Sequence, residues 1–168
     1  YTDATPTSLK GDYAYVRNYS NEVITVLEAS LSKRIQEIQR QNILPNFRNY
    51  IMHDHETGLY NFGIKYHHLE CWIHLGRELK YFDEYIKNSW SKELWEFAWN
   101  LNKKRKELLQ NNITQFTSEE IIEYEKEYDE IIQNGINQNK NTPSKYLKDK
   151  EKAVLNRLIK YKENYLNY

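Results

Sequence analysis

A single cysteine in 168 residues excludes an internal disulfide and fits a reducing compartment. No apolar run reaches membrane-spanning length, so no transmembrane helix is expected. An excess of one charge is also missing, since Lys+Arg and Asp+Glu both total 24. The chain as a whole therefore makes no case for non-specific nucleic-acid binding, and local patches must be judged one by one. The N-terminal "YTDAT" has no initiator Met, no basic segment and no apolar signal core. The other end, "KYKENYLNY", is still amphipathic and lacks a Gly or Pro stop. Both ends read as cuts, so the chain is expected to be an internal piece of a longer protein.

What is present is a globular composition, 39% hydrophobic and 29% charged. The length allows one domain with a real core, or a small core with an appendage.

Two regions differ in grammar. Residues 1–71 mix strand-like runs with one helical stretch. "YAYVRNY" (13–19) and "EVITVLEA" (22–29) are rich in Tyr and β-branched residues and read as strands. "SLSKRIQEIQRQNIL" carries Leu31, Ile35 and Ile38 at helical spacing, with Pro45 as its stop. "YIM" (50–52) reads as a short buried strand, and "IKYHHLEC" (64–71) as another. Strands interrupted by a helix and then resumed give an α/β pattern.

From Trp72 to Tyr168 nearly everything reads as helix, with helices expected near 72–87, 91–111, 118–134 and 144–166. Thr117 with Glu120 forms a capping box, and Thr142 followed by Pro143 reads as N-cap then first turn. "NGINQNKNT" is expected to be a polar turn. Apolar stripes through Leu94, Ala98, Leu101 and Leu108, through Ile121, Tyr128 and Ile132, and through Leu147, Val154, Leu158 and Tyr165 predict packing faces. The third helix is acidic and the fourth basic. They read as antiparallel partners with complementary faces, or as one basic face that tracks phosphates. Lys103, Lys104, Arg105 and Lys106 form a second cluster with the same ambiguity.

The chemistry-bearing residues cluster at three places. In "YIMHDHETGLY", strand alternation would put His53 and His55 on one side and Asp54 on the other. The three residues alone are therefore a poor metal site unless the chain turns sharply there. Asp54 sits where a strand ends, a common place for a functional carboxylate, and needs a partner from another strand. Asp3, in "YTDAT", offers one, because an acid within a strand is costly unless paired, hydrogen-bonded or metal-bound. Two such aspartates suit a hard cation such as Mg²⁺, or one of them is simply a turn residue. In "HHLECWIH", His67, Cys71 and His74 would share a face for Zn²⁺ if the segment were helical. If a strand ends at Cys71, that grouping dissolves and Cys71 is a small buried hydrophobe.

"YTDAT…YVRNYS…IMHDHETGLYNFG…HHLECWIHLGREL" resembles the catalytic region of bacterial transposases of the insertion-sequence-66 family. The resemblance extends through "NSWSKEL", "NKKRKELL" and "EKAVLNRLIKYKEN". It implies a DDE-type recombinase with a truncated RNase H-like mixed sheet over residues 1–71. An all-helical insertion would follow over residues 72–168. Asp3 and Asp54 would be the first two catalytic acids and ligands of a two-Mg²⁺ site. The third, a Glu on a helix after the insertion, would lie beyond Tyr168. The resemblance implies strand cleavage and transfer on transposon ends and target DNA, by a homo-oligomer in the bacterial cytoplasm at the nucleoid. The piece by itself would be inactive. Cys71 and His74 match a C-x-x-H signature whose role looks structural, and the roles of His53 and His55 stay open. Two other readings are a helical DNA- or protein-binding remnant of a decayed transposase, and a small zinc domain centred on Cys71 and His74.

Overall fold

The computed structural model describes residues 1–61, 63 and 66–167. It divides into two compact units, Tyr1–Cys71 and Trp72–Tyr168. The fold is mixed α/β, with small sheets in the first unit and helices throughout the second.

The first unit opens with a meander of β1 (Thr2–Leu9), β2 (Asp12–Ser20) and β3 (Thr25–Ser30). All neighbours run antiparallel in the order β1-β2-β3. Lys10 and Gly11, both at positive φ, close the first hairpin as a two-residue turn. β3 starts at Thr25 rather than Glu22, because the Asn21 side chain captures the backbone N–H groups of Val23 and Ile24 in a turn. Helix α1 covers Ile35–Gln41. The expected helix from Ser30 is thus shorter at both ends. Leu31 is 69% exposed and outside it, and Asn42 at φ 58 ends it before Pro45 is reached. Pro45 instead lies in a 3-10 turn, Leu44–Asn46.

β4 (Tyr50–His53) and β5 (His67–Glu70) pair in parallel, bracketing the short helix α2 (Thr57–Tyr60). β4 is buried on one face only: Ile51 and His53 point inward, while Tyr50 and Met52 are exposed. Residues 64 and 65, expected to begin the last strand, lie outside the described residues. The strands form a three-stranded antiparallel sheet and a separate parallel pair rather than one continuous mixed sheet, with β1 packed beside β4. Tyr19, Ile38, Leu44, Ile51, Leu59 and Tyr66 make the core of this unit. Each fully buried aliphatic side chain there contributes roughly 1.5–3 kcal/mol.

The second unit contains α3 (Trp72–Tyr85), α4 (Trp90–Gln110), α5 (Ser118–Asn139), α6 (Lys145–Lys160) and α7 (Lys162–Tyr165). Successive helices pack on one another from α3 to α6. Trp90, Phe82, Tyr128, Leu94, Leu155 and Leu158 are almost fully buried at its centre. The capping box of Thr117 and Glu120 is present at the start of α5.

Two expectations fail here for one reason. α5 does not stop before "NGINQNKNT" but runs to Asn139. Thr142 is not the N-cap of α6, a role taken by Ser144. Asn139 and Thr142 instead reach Glu151, which is fully buried. The Glu151 carboxylate accepts from Asn88 Nδ2 (2.6 Å), Trp90 Nε1 (2.7 Å), Asn139 Nδ2 (2.7 Å) and Thr142 Oγ1 (2.8 Å). Four neutral donors replace the water this acid loses. Gly135 lies within α5 because a Cβ there would fall 2.7 Å from Leu155 Cδ2 and 2.9 Å from the Trp90 ring.

The facing charges of α5 and α6–α7 meet mainly through Lys162, which pairs with Asp129 (2.8 Å) and Glu125 (3.9 Å). Arg157 turns instead to Glu78 on α3. Among the described residues no helix is long and apolar enough to cross a membrane.

Candidate functional site

Asp3 and Asp54 come together. Asp3 sits on β1 between the buried Thr2 and Ala4, so its side chain leaves by the opposite face. Asp54 follows the last residue of β4. Each offers a carboxylate oxygen, and these lie within 4.8 Å of one another. Both side chains are half-buried. The Tyr1 hydroxyl donates to Asp3 Oδ2 at 3.1 Å. Burial, and then the charge of Asp3, pushes that phenol well above its ordinary range.

The histidines beside Asp54 face elsewhere, though strand alternation is not the whole reason. β4 ends at His53, and the chain then bends sharply, with His55 in the left-handed region at φ 64. This turn brings His55 back to the same neighbourhood as His53. There His55 Nδ1 lies 2.6 Å from Glu70 Oε1, and the Tyr60 hydroxyl donates to the same oxygen. His53 Nε2 meets His68 Nδ1 at 2.9 Å, and the Tyr60 ring stacks on His68 with centroids 4.0 Å apart.

Burial favours the neutral form of two of these histidines. It lowers His53 to about 4 and also holds His68 below its usual value. For Glu70, burial acts upward, but the hydrogen bonds from His55 and Tyr60 outweigh it and hold the carboxyl below its ordinary value.

On the other side of the turn, Glu56 is tied to β2. The Arg17 guanidinium donates to both its oxygens, at 2.8 and 2.7 Å, with side chains only 2% and 12% exposed. Burial disfavours the charge of Arg17, but Glu56 more than compensates and its pKa rises. Asp54 thus precedes two consecutive anchored residues, one held by β5 and the next by β2.

Sequence reasoning overlooks Glu70, Arg17 and Glu56. A signal for Glu70 exists, since it is an acid within a four-residue strand and needs a partner by the same argument that singles out Asp3. The zinc grouping dissolves: β5 ends at Glu70, α3 starts at Trp72, and His67 stacks on Tyr50 at 4.9 Å. Among the described residues, no cluster of three potential metal ligands includes Cys71.

A sequence model described as "Transposase IS66 family" matches residues 3–168. The chain belongs to the IS66 transposase family. The match covers both units, so the helices belong to the transposase sequence as much as the strands do. Membership gives the chain a transposition-related role with DNA as the substrate polymer. No curated protein and no solved structure matches the chain significantly.

Proposed function

We propose that this chain is part of the catalytic region of a DNA-cutting and DNA-joining transposase, with Asp3 and Asp54 as two of its metal-binding acids. The observation that carries the reading is the meeting of these two carboxylates, within 4.8 Å, from β1 and the end of β4. An RNase H-like core is supported by the order of elements: three antiparallel strands, a helix, then two parallel strands around a second helix, with β1 beside β4.

The donor set suits Mg²⁺: two carboxylates, half-buried and so open to water and phosphate. When bound, a pair of such ions neutralises the scissile phosphate and stabilises the attacking and leaving oxygens. The chain's own residues supply position. Tyr1 orients Asp3 by its hydrogen bond. The Arg17–Glu56 and His55–Glu70 contacts hold the turn that carries Asp54.

On the family resemblance, we take a third carboxylate, a glutamate, to belong to the same site from outside residues 1–168. Two acids alone bind the ion weakly, so this chain is expected to bind metal without cutting DNA. The test is a Mn²⁺ titration followed by electron paramagnetic resonance. Weak binding is expected, and its loss in both Asp3→Asn and Asp54→Asn. Binding unchanged by either substitution would overturn the assignment. Mg²⁺-dependent plasmid nicking by the purified chain, lost in Asp54→Ala, would instead overturn the need for a third acid. A remnant without chemistry predicts no binding at all.

A further inference from the structure

The second unit carries a surface that the Asp3–Asp54 site does not use. α3 and α4 enclose a groove of about 350 Å³ whose wall is the Trp95 indole and whose rim includes Arg77, Lys80 and Lys92. The indole lies against Gly76, where an added Cβ would fall 2.3 Å from Trp95 Cζ3. Glycine is therefore what lets the ring lie this close to α3.

One turn beyond Trp95, Trp99 is 62% exposed, an unusual state for the largest apolar side chain. At 3.6 residues per turn, Lys92, Trp95, Trp99, Lys103 and Lys106 all fall within about 80° of arc on α4. Lys92, Lys103 and Lys106 are exposed. The face thus sets two indoles between Lys92 on one side and Lys103 and Lys106 on the other, over roughly 21 Å of helix. Glu96 and Glu107 on α4 and Asp83 and Glu84 on α3 are the acids beside it, and Lys92 is paired with Glu96 at 3.8 Å. Five cations against four carboxylates leave this surface with only a small positive excess.

We propose that this face of α4, with the groove it shares with α3, binds unpaired DNA: bases stack on Trp99 and Trp95 while the lysines and Arg77 follow the phosphates. An exposed indole, Trp99, beside the half-buried Trp95 and flanked by cations, fits that ligand better than duplex DNA, whose base faces are not accessible. The proposal relies on the transposase reading only in taking DNA as the polymer. It gives Lys103 and Lys106 of the "NKKRK" cluster a partner and the exposed Trp99 a use.

The test is fluorescence anisotropy of a short labelled oligothymidylate titrated with the purified chain. It is run in EDTA, so the Asp3–Asp54 site plays no part and failure here leaves that site untouched. Binding tighter than to a duplex of equal length is expected. Trp99→Ala, at an exposed position and checked for helicity by circular dichroism, should weaken it about tenfold. Trp99→Phe should restore most of the loss. Lys103→Ala and Lys106→Ala should each reduce the slope of log affinity against log salt by about 0.7. Equal affinity for duplex, or a Trp99→Ala variant that binds like the parent, overturns the proposal.

Discussion

Arg17 on β2 and Glu56, two residues after Asp54, form a two-bond ion pair at 2.8 and 2.7 Å that is almost closed to water. Neither charge has water enough to stand alone, so breaking the pair from one side strands the other. Arg17→Met or Glu56→Gln is expected to destabilise the first unit by about 3–5 kcal/mol, measured by urea unfolding. The double replacement Arg17→Met with Glu56→Leu should cost far less than the two single changes added together. A single variant with parental stability would mean that the pair is dispensable.

Glu151 makes a different demand. Its two oxygens accept from four neutral donors, two on each oxygen. Glu151→Gln keeps the shape but turns one acceptor into a donor facing two others. A loss of about 3 kcal/mol in the helical unit is expected, followed by its far-ultraviolet dichroism on denaturation. A change below about 0.5 kcal/mol would show that the network rearranges easily.

Gly135 tests packing without polarity. Gly135→Ala would raise helix propensity on an exposed surface. Here the new methyl meets Leu155 and Trp90 at under 3 Å, so overpacking should dominate and destabilise by about 1–3 kcal/mol. A higher melting temperature would contradict the close approach of α5 to α4 and α6.

The first unit should be sensitive to both ends of the pH scale. His53, lowered to about 4, and His68, also lowered, are protonated first in the unfolded chain, so stability falls as pH drops below about 6.5. Glu70 is also lowered, so its stabilising share is present above its ordinary value near 4.5 and is lost as pH falls further. Tyr66 is pushed up to about 12 by burial, so its share is present below about 10 and declines above it. Unfolding midpoints should fall at both edges of the pH range, and His68→Phe should make the descent that begins near 6.5 shallower, leaving the share of His53. An acid limb unchanged in that variant would remove His68 from the account.

Local chemistry was legible in the sequence, and distant partnerships were not. The capping box at Thr117 and Glu120 needs only four residues of chain, and it is present as written. "NGINQNKNT" has the composition of a turn, yet the residue that makes it helical, Glu151, stands twelve positions after Asn139. The spacing of Leu31 predicts a longer α1 than the chain forms, while its end at Asn42 depends on a single left-handed residue. In the candidate site, an acid inside a strand is a visible anomaly at Asp3 and equally at Glu70. Which acids meet, and which histidine turns back, depends on how β4 ends, and periodicity is silent on that.

That ending is the backbone of His55, at φ 64. Few side chains accept this conformation, and it costs on the order of 1 kcal/mol or more unless its surroundings hold it. A glycine would make the same bend without strain and without reference to anything else. Histidine makes the bend conditional: it is secured by the contact with Glu70, so the direction in which Asp54 points depends on β5 as well as on its own strand.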